Sequence, residues 1–502
     1  MNTSINWHKL DHKKYADETG LLGRLCRLVA WPPGQRQQVR KQAIELVELA
    51  RAQQRRKGMM ESFLAEFGLS NKEGLALMCL AEALLRVPDE KTADALIAEK
   101  IASGNWAAHA GQSDSLLVNA STWGLMLTGR LLDGGQRVEN DIPGFMGRLV
   151  SRLGEPAIRA AMLQAMRIMG EQFVLGRDIK SAIKRGSKLD SADARAIFSF
   201  DMLGEGARTR ADAERYFERY ANAIHEVGKA RGPGTVREVS GVSVKLSALH
   251  PRYEAVKQQR VEDELYPKLL ELAKLAKGYD IGFCLDAEEA DRLVLSLGLL
   301  ERLAAEEALA GWNGLGLAIQ AYQKRALAVI ANVQQLARQT KRQIMVRLVK
   351  GAYWDTEIKH AHETGVVDFP VWTTKQATDL NFLACAEALI AQPQAIYAQF
   401  ATHNAHSLAA VQAMASTAGV EIEFQRLHGM GEALYTAADQ TFGSTRCRIY
   451  APVGSHDDLL PYLVRRLLEN GANTSFVHSF LDEKVPAAEV AGDPFCDVST
   501  LA

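Results

Sequence analysis

Leu315-Gly-Leu-Ala-Ile319 and Ile344-Met-Val-Arg-Leu-Val349 are apolar runs of strand length. Between them lies Lys324–Gln339, whose apolar residues recur three and four apart, as on one face of a helix. Strand, helix and strand in that order make a βαβ unit, with the two strands parallel in one sheet. The alternation continues in both directions. Strands are expected at Ile197–Leu203, Gly241–Leu246, Ile281–Leu285, Tyr397–Ala401, Glu421–Gln425 and Arg448–Ala451. Amphipathic helices are expected at Asp212–Gly228, Glu262–Ala276, Asp291–Ala308, Leu380–Ala391, Ser407–Thr417 and Asp457–Asn470. Eight strands with helical crossovers over about 280 residues predict an α/β fold of the (β/α)8 TIM-barrel type. A doubly wound sheet would suit fewer strands and carry a glycine-rich phosphate turn after its first, yet no G-x-G-x-x-G follows Leu203.

Upstream of about residue 190 the period is helical throughout, at Val39–Lys57, Glu61–Phe67, Lys72–Leu85, Thr92–Ile101 and Ala157–Lys184. Pro32-Pro33-Gly34 sets off an N-terminal arm, and Gly134–Pro143 reads as a loop. The expected organisation is an arm (1–34), an all-helical domain (35–150), a helical linker (151–194), the barrel (195–480) and a tail (481–502). The 502 residues fit two to three domains, and a formal net charge of −1 supplies no field for nucleic acid or an acidic membrane. Six cysteines stand far apart with no CxxC, the N-terminus lacks an apolar leader, and no run reaches membrane-spanning length. A cytoplasmic protein with reduced thiols is expected.

A barrel gathers chemistry at the C-terminal ends of its strands. Those ends offer Asp201 through Glu205, Lys245, Asp286 with Glu288 and Glu289, Gln320, Arg347 through Lys350, Thr402-His403-Asn404, Gln425-Arg426 and Tyr450. The helix after the last strand adds Arg465 and Arg466, which share a narrow polar face with Tyr462 and Glu469. Two forked guanidinium groups side by side suit a carboxylate; taken alone, an Arg465–Glu469 pair on a solvated helix face is the commoner reading, and the place of this helix after the last strand tips the balance to the carboxylate. No metal is expected. His403 and His406 could face one ion, but no carboxylate lies beside them and no H-E-x-x-H occurs. Lys245 at a strand end would suit a Schiff base. Its expected neighbours Arg347, Lys350, Lys375, Arg465 and Arg466 point instead to an anionic substrate held together with an anionic cofactor, as in flavin chemistry.

Longer motifs carry a resemblance. These are Val346-Arg-Leu-Val-Lys-Gly-Ala-Tyr-Trp-Asp355, Phe400-Ala-Thr-His-Asn-Ala-His406, Phe424-Gln-Arg-Leu-His-Gly-Met-Gly431 and the run Tyr462–Phe476. With Val242-Ser-Val-Lys-Leu-Ser-Ala-Leu-His-Pro251 and Leu285-Asp-Ala-Glu-Glu289, they closely resemble the proline dehydrogenase domain of the bacterial proline utilisation A family, in the same order over about residues 195–480. The resemblance implies a distorted (β/α)8 barrel binding FAD and oxidising L-proline to Δ1-pyrroline-5-carboxylate. The hydride would pass from proline C5 to flavin N5, and the electrons onward to a quinone. Arg465, Arg466 and Lys245 would then hold the proline carboxylate, and Asp286 would pair with an arginine. Tyr353, Tyr450 and Leu427 would wall the ring, and Glu205 would close the site on Arg465. Arg347 would lie near flavin N5. Cofactor contacts would come from Gln320, Arg347, Val349, Lys350, Gly351, Ala352, Trp354, Thr373, Lys375, Thr378, Thr402, His403, Asn404, Gln425, Arg466, Glu469, Ser475 and Phe476. Without the resemblance, Trp354 and Phe476 read equally well as core.

Many members of that family continue into an aldehyde dehydrogenase domain. This sequence ends at Phe495-Cys-Asp-Val-Ser-Thr-Leu-Ala502, so that domain is expected to be missing, from a truncated form or a stand-alone enzyme. Neither the start of the chain nor its balanced charge resembles the basic strand-helix-helix module with which some members bind DNA. Nucleic acid is therefore not an expected partner, and membrane association is at most peripheral. Two rivals are kept: another FAD barrel such as a methylenetetrahydrofolate reductase, and a DNA-binding regulator or scaffold using the Arg51–Lys57 run of the helical region.

Overall fold

The computed structural model describes residues 5–29, 31–54, 174–189, 196–454 and 485–495, all within one compact unit. Eight parallel strands close into a barrel in chain order. They are β1 (Ile197–Met202), β2 (Gly241–Val244), β3 (Phe283–Leu285), β4 (Leu315–Gln320), β5 (Ile344–Val349), β6 (Ile396–Ala401), β7 (Glu423–Leu427) and β8 (Cys447–Val453). β1 pairs with both β2 and β8, which closes the ring. Each expected strand is present to within two residues at either end. The reason is physical: strands covered on the outside by helices are buried on both faces and read as short, mainly apolar runs. Gly241 and Gly282 let β2 and β3 approach closely, since a Cβ on Gly241 would meet the Gly282 carbonyl oxygen at 2.6 Å.

The outer helices begin where polar side chains cap them. Thr209 and Asp212 form a capping box at the start of Arg210–Lys229, while Thr374 caps Lys375–Ile390 and Asn404 caps Ala405–Ala418. Four expectations are corrected. Glu262–Ala276 is two helices, Gln258–Glu264 and Tyr266–Gly278, with Pro267 in the first turn of the second. Asp291–Ala308 is α-helical only over Leu293–Ala305, with a 3₁₀ turn at each side. Ala157–Lys184 is not one helix: Gly176 bridges to Val453, and Asp178 opens a new helix, Ile179–Gly186, with its own capping box. Pro33 is the first residue of the helix Pro33–Gln54 rather than part of a linker, a position where its missing N–H costs nothing. Three helices of eleven residues, Glu18–Leu28, Trp354–Thr364 and Glu432–Phe442, were not expected.

The residues expected as a separate arm pack on the barrel. The Trp7 indole donates to Glu301 at 2.6 Å, and buried Arg325 donates to Asp11 at 2.8 Å. Near the other end of the chain, Arg36 pairs with Asp493 at 2.8 Å. Of the expected helical domain only residues 35–54 are described, and the helix expected at Asp457–Asn470 lies outside the described residues. No helix among the described residues is long and apolar enough to cross a membrane.

Candidate active site

Barrel interiors are ordinarily packed with branched apolar side chains. Here alternate positions of several strands are polar: Ser199 and Asp201 on β1, Ser243 on β2, Arg347 on β5, Gln399 on β6, Glu423 and Gln425 on β7, and Arg448 and Tyr450 on β8. All but Tyr450, which is half-buried, are buried. A strand's side-chain period of two aims such a set at one face, and the hydrogen bonds show that face to be the interior.

At the C-terminal end, Lys245 follows β2 and Asp286 follows β3. Lys245 Nζ donates to Asp201 at 2.7 Å, to Asp286 at 3.0 Å and to the Tyr450 hydroxyl at 3.1 Å. The Tyr450 hydroxyl donates in turn to Asp286 at 2.7 Å, and Arg347 Nη1 reaches the other Asp286 oxygen at 2.8 Å. Expected residues from β2, β3, β5 and β8 thus converge on one carboxylate. Lys245 is held from behind as well: its backbone N–H donates to the buried Tyr220 hydroxyl at 3.1 Å.

Burial opposes the Lys245 charge, but Asp201, Tyr450 and Asp286 outweigh it and hold its pKa well above the usual lysine value. Burial pushes Asp286 up too, yet Lys245 and Arg347 reverse the direction and leave it below the usual carboxylate range. Asp201 goes the other way. Burial raises its pKa against the pull of Lys245, and its Oδ1 has no hydrogen-bond partner among the described residues. One ammonium between two acids favours the acid that also holds an arginine. Asp201 was only a polar strand end in the sequence, and its pairing with Lys245 went unread.

The expected surplus of positive charge at the rim is corrected here. Lys245 and Arg347 are matched by buried carboxylates and lie inside the barrel. A surplus does remain farther out, where Lys350 and Lys375 share the single carboxylate of Asp379, the latter at 2.6 Å. Burial raises the Asp379 pKa, but the two lysines overcome it and bring it down to about 2. Two cations on one acid, beside the N-terminus of the helix Lys375–Ile390, leave room for an anion.

The other expected residues are placed as follows. Gln320 donates to Glu288 O at 2.8 Å and accepts from Ala352 N at 3.4 Å. Val349 ends β5, and Gly351 follows with φ +137°, where a Cβ would stand 2.4 Å from the Tyr322 ring. Trp354 is 40% exposed and donates to Trp372 O, so it is not core. Thr373 donates its N–H and hydroxyl to Glu18 of the N-terminal helix, at 3.0 and 2.8 Å. Thr402, Asn404 and Thr378 are buried, whereas His403 is half-buried and accepts from Leu427 N at 3.1 Å. Glu205 and Tyr353 lie half-buried in the loops after β1 and β5. Arg465, Arg466, Glu469, Ser475 and Phe476 lie outside the described residues.

Two histidines close to these loops set a pH limit on the fold. Burial depresses the pKa of His406 to about 4 against the pull of Asp493, and that of His428 to about 4 with help from Arg185 and Arg426. Both folded values lie below the unfolded one of about 6.5. Their stabilisation is therefore complete above pH 6.5 and is lost as pH falls toward 4, where the unfolded chain binds more protons. Replacing both by Asn should shrink the fall in Tm between pH 7.5 and 4.5. An unchanged fall would show that these histidines do not control it.

A family model described as proline dehydrogenase matches residues 182–479, and one described as the DNA-binding domain of proline dehydrogenase matches residues 59–173. The bifunctional protein PutA of Klebsiella aerogenes is 50% identical over 497 residues, covering 97% of this chain and 37% of that protein. The protein of the same description from Escherichia coli (strain K12) is 50% identical over 494 residues, with the same coverage. A solved structure of Bradyrhizobium japonicum proline utilization A superposes with a TM-score of 0.74 at 51% identity, covering 96% of this chain and 48% of the other. The chain thus spans under half the length of these relatives.

Proposed function

The chain belongs to the proline dehydrogenase family, and on that premise we propose that it oxidises L-proline to Δ1-pyrroline-5-carboxylate with FAD as its redox group. The observation that carries this reading is the buried cluster of Lys245, Asp286, Arg347 and Tyr450 at the C-terminal end of the barrel. When bound, FAD would supply the two-electron acceptor for the C5 hydride of proline, with a quinone as the onward acceptor.

The residues present fit that group. Lys350 and Lys375, with one carboxylate between them, suit its phosphates; Thr378 stands on the helix that Lys375 begins, and His403 follows β6. Gln320, Val349, Gly351, Ala352 and Gln425 would face the ring, and half-exposed Trp354 the outer part of the cofactor. Arg347 has five N–H groups, and four are committed: Nε to Gln425, Nη1 to Asp286, and Nη2 to Ser199 and Ser243. Among the described residues one Nη1–H is left, and it would stabilise charge gathering at the reacting face. Lys245 has no spare donor, so accepting a substrate carboxylate would loosen its contact with Tyr450, the longest of its three. Arg465 and Arg466 would supply the rest of the carboxylate clamp, with Glu205 closing over it, and Tyr353, Tyr450 and Leu427 would pack on the pyrrolidine ring. Held at both ends, the substrate reacts from one orientation, a large source of rate.

The description of the model matched at residues 59–173 favours a second reading, contact with DNA. That segment holds ten Lys and Arg against fourteen Asp and Glu, a formal charge of −4, so it has no cation excess to displace phosphate counterions. We therefore hold to the enzyme reading.

The test is spectroscopic. Protein purified with FAD should be yellow and should bleach under anaerobic L-proline. Colourless protein that takes up no FAD, or yellow protein that proline leaves unbleached, would overturn the proposal.

A further inference from the structure

Gln425 differs from the other partners of Arg347. A serine hydroxyl rotates to accept whatever approaches it, but a carboxamide has a donor end and an acceptor end of nearly equal size. Its carbonyl oxygen accepts Arg347 Nε–H at 2.7 Å. Turned over, the amide would press N–H against N–H and release the guanidinium on that side.

What prevents the reversal lies one layer deeper in the barrel. Gln425 Nε2 donates to Glu423 Oε1 at 2.9 Å. The same oxygen accepts Gln399 Nε2 at 2.8 Å and Arg448 Nε at 2.8 Å, while Oε2 accepts Arg448 Nη2 at 2.9 Å and the Tyr397 hydroxyl at 3.3 Å. Glu423 is fully buried, accepts five hydrogen bonds and donates none. Facing it, the Gln425 amide has one workable orientation, because the reverse would set two acceptors face to face here and two donors face to face at Arg347.

We propose that Glu423 is a positioning residue for the reaction: by fixing which way the Gln425 carboxamide points, it holds the Arg347 guanidinium in the plane that leaves its one uncommitted N–H for the reacting face. The proposal rests on the reading above, in which Arg347 works at that face. Glu423 itself touches neither substrate nor cofactor. Arg448, paired with it through two nitrogens and donating also to Val239 O and Arg237 O, supplies the compensating charge and anchors the assembly at the strand starts.

The test replaces the ion pair as a unit. Glu423→Met with Arg448→Met removes the acceptor facing Gln425 without leaving either charge buried alone. The first readout is hydrogen exchange of the Arg347 Nε–H in the cofactor-free full chain, labelled with ¹⁵N-arginine and assigned by its loss in Arg347→Lys. That proton should exchange at least about tenfold faster in the double variant, and by a similar factor in Gln425→Met, as one charge-assisted hydrogen bond is lost. The second readout is proline turnover, which should fall to a similar extent in both, with the triple variant no worse than either. If the double variant fails to fold, Glu423→Asp keeps the charge while retracting the acceptor, and it should speed exchange in the same direction. Wild-type protection of the proton in a folded variant, with Gln425→Met unprotected, would overturn the proposal. Full turnover in Gln425→Met would instead sink the role given to Arg347, whatever the exchange data show about Glu423.

Discussion

Asp286→Ala should reduce proline turnover by about a thousandfold, roughly 4 kcal/mol of transition-state stabilisation. Its carboxylate is where Arg347, Lys245 and Tyr450 meet, at 2.8, 3.0 and 2.7 Å. Removing it leaves two buried cations with only Asp201 between them, and an uncompensated charge of that kind costs on the order of 3–5 kcal/mol. The site has two ways to relax, and both destroy it: water enters, or Lys245 swings toward Asp201 and away from the substrate's position. Asp286→Asn should do little better despite its matching volume, since its amide can satisfy at most one of the two cations and presents N–H to the other. Turnover with L-proline and a thermal melt read the two effects separately. Turnover within about threefold of wild type in a folded Asp286→Ala would mean that the cluster does not serve the reaction.

How much of this was legible in the sequence depends on how far each feature is local. Most of the barrel strands were readable because they are short, mainly apolar runs with a polar residue at or near the end, and Ile344–Val349 is observed with its expected bounds. The helix Trp354–Thr364 was missed for the opposite reason. Its sequence, Trp-Asp-Thr-Glu-Ile-Lys-His-Ala-His-Glu-Thr, offers a stripe of only three apolar residues, Trp354, Ile358 and Ala361, and only Glu357 and Ala361 are buried. It is held by tertiary contacts such as Ala290 N–H donating to Glu357, and Gly365 in the left-handed region ends it. Leu265-Tyr-Pro267 broke a helix expected to run through it, a breaker visible in the sequence and passed over.

The site divides in the same way. Lys245, Asp286, Arg347 and Tyr450 could be singled out one strand at a time, because each lies at or near a strand's polar end. Asp201 and Glu423 needed a pairing between strands distant in sequence, and no local pattern supplies that. A clue did exist. Ser199 and Asp201, Glu423 and Gln425, and Arg448 and Tyr450 are each two apart, so each pair faces one side of its strand. Polar groups on the inner face of a closed barrel must pair with one another. The expectation of a positively charged rim needs correcting at Lys245 and Arg347 alone, since it counted cations by sequence position and left out the buried acids opposite these two.

Arg347→Lys is the sharper test of what the barrel interior is built for. The substitution keeps the charge, so a site needing only a cation above Asp286 would tolerate it. The geometry requires more. One planar group satisfies Asp286, Gln425, Ser199 and Ser243 from four separate N–H directions, and an ammonium has three donors on a single nitrogen. At least one of those buried acceptors loses its partner, at a cost of about 1–3 kcal/mol, and no N–H remains for the reacting face. Catalytic efficiency with proline should therefore fall about 10²- to 10³-fold, mainly in kcat, the size of effect seen when one preorganised donor to developing charge is removed. FAD content should stay close to wild type, because the lysines around Asp379 are untouched. Arg347→Met should lose little more than Arg347→Lys, since both variants lack the fork and the charge that lysine retains does not replace it. If Arg347→Lys turns over proline within about threefold of wild type while Arg347→Met is inactive, charge alone suffices and the geometry assigned to the guanidinium is wrong.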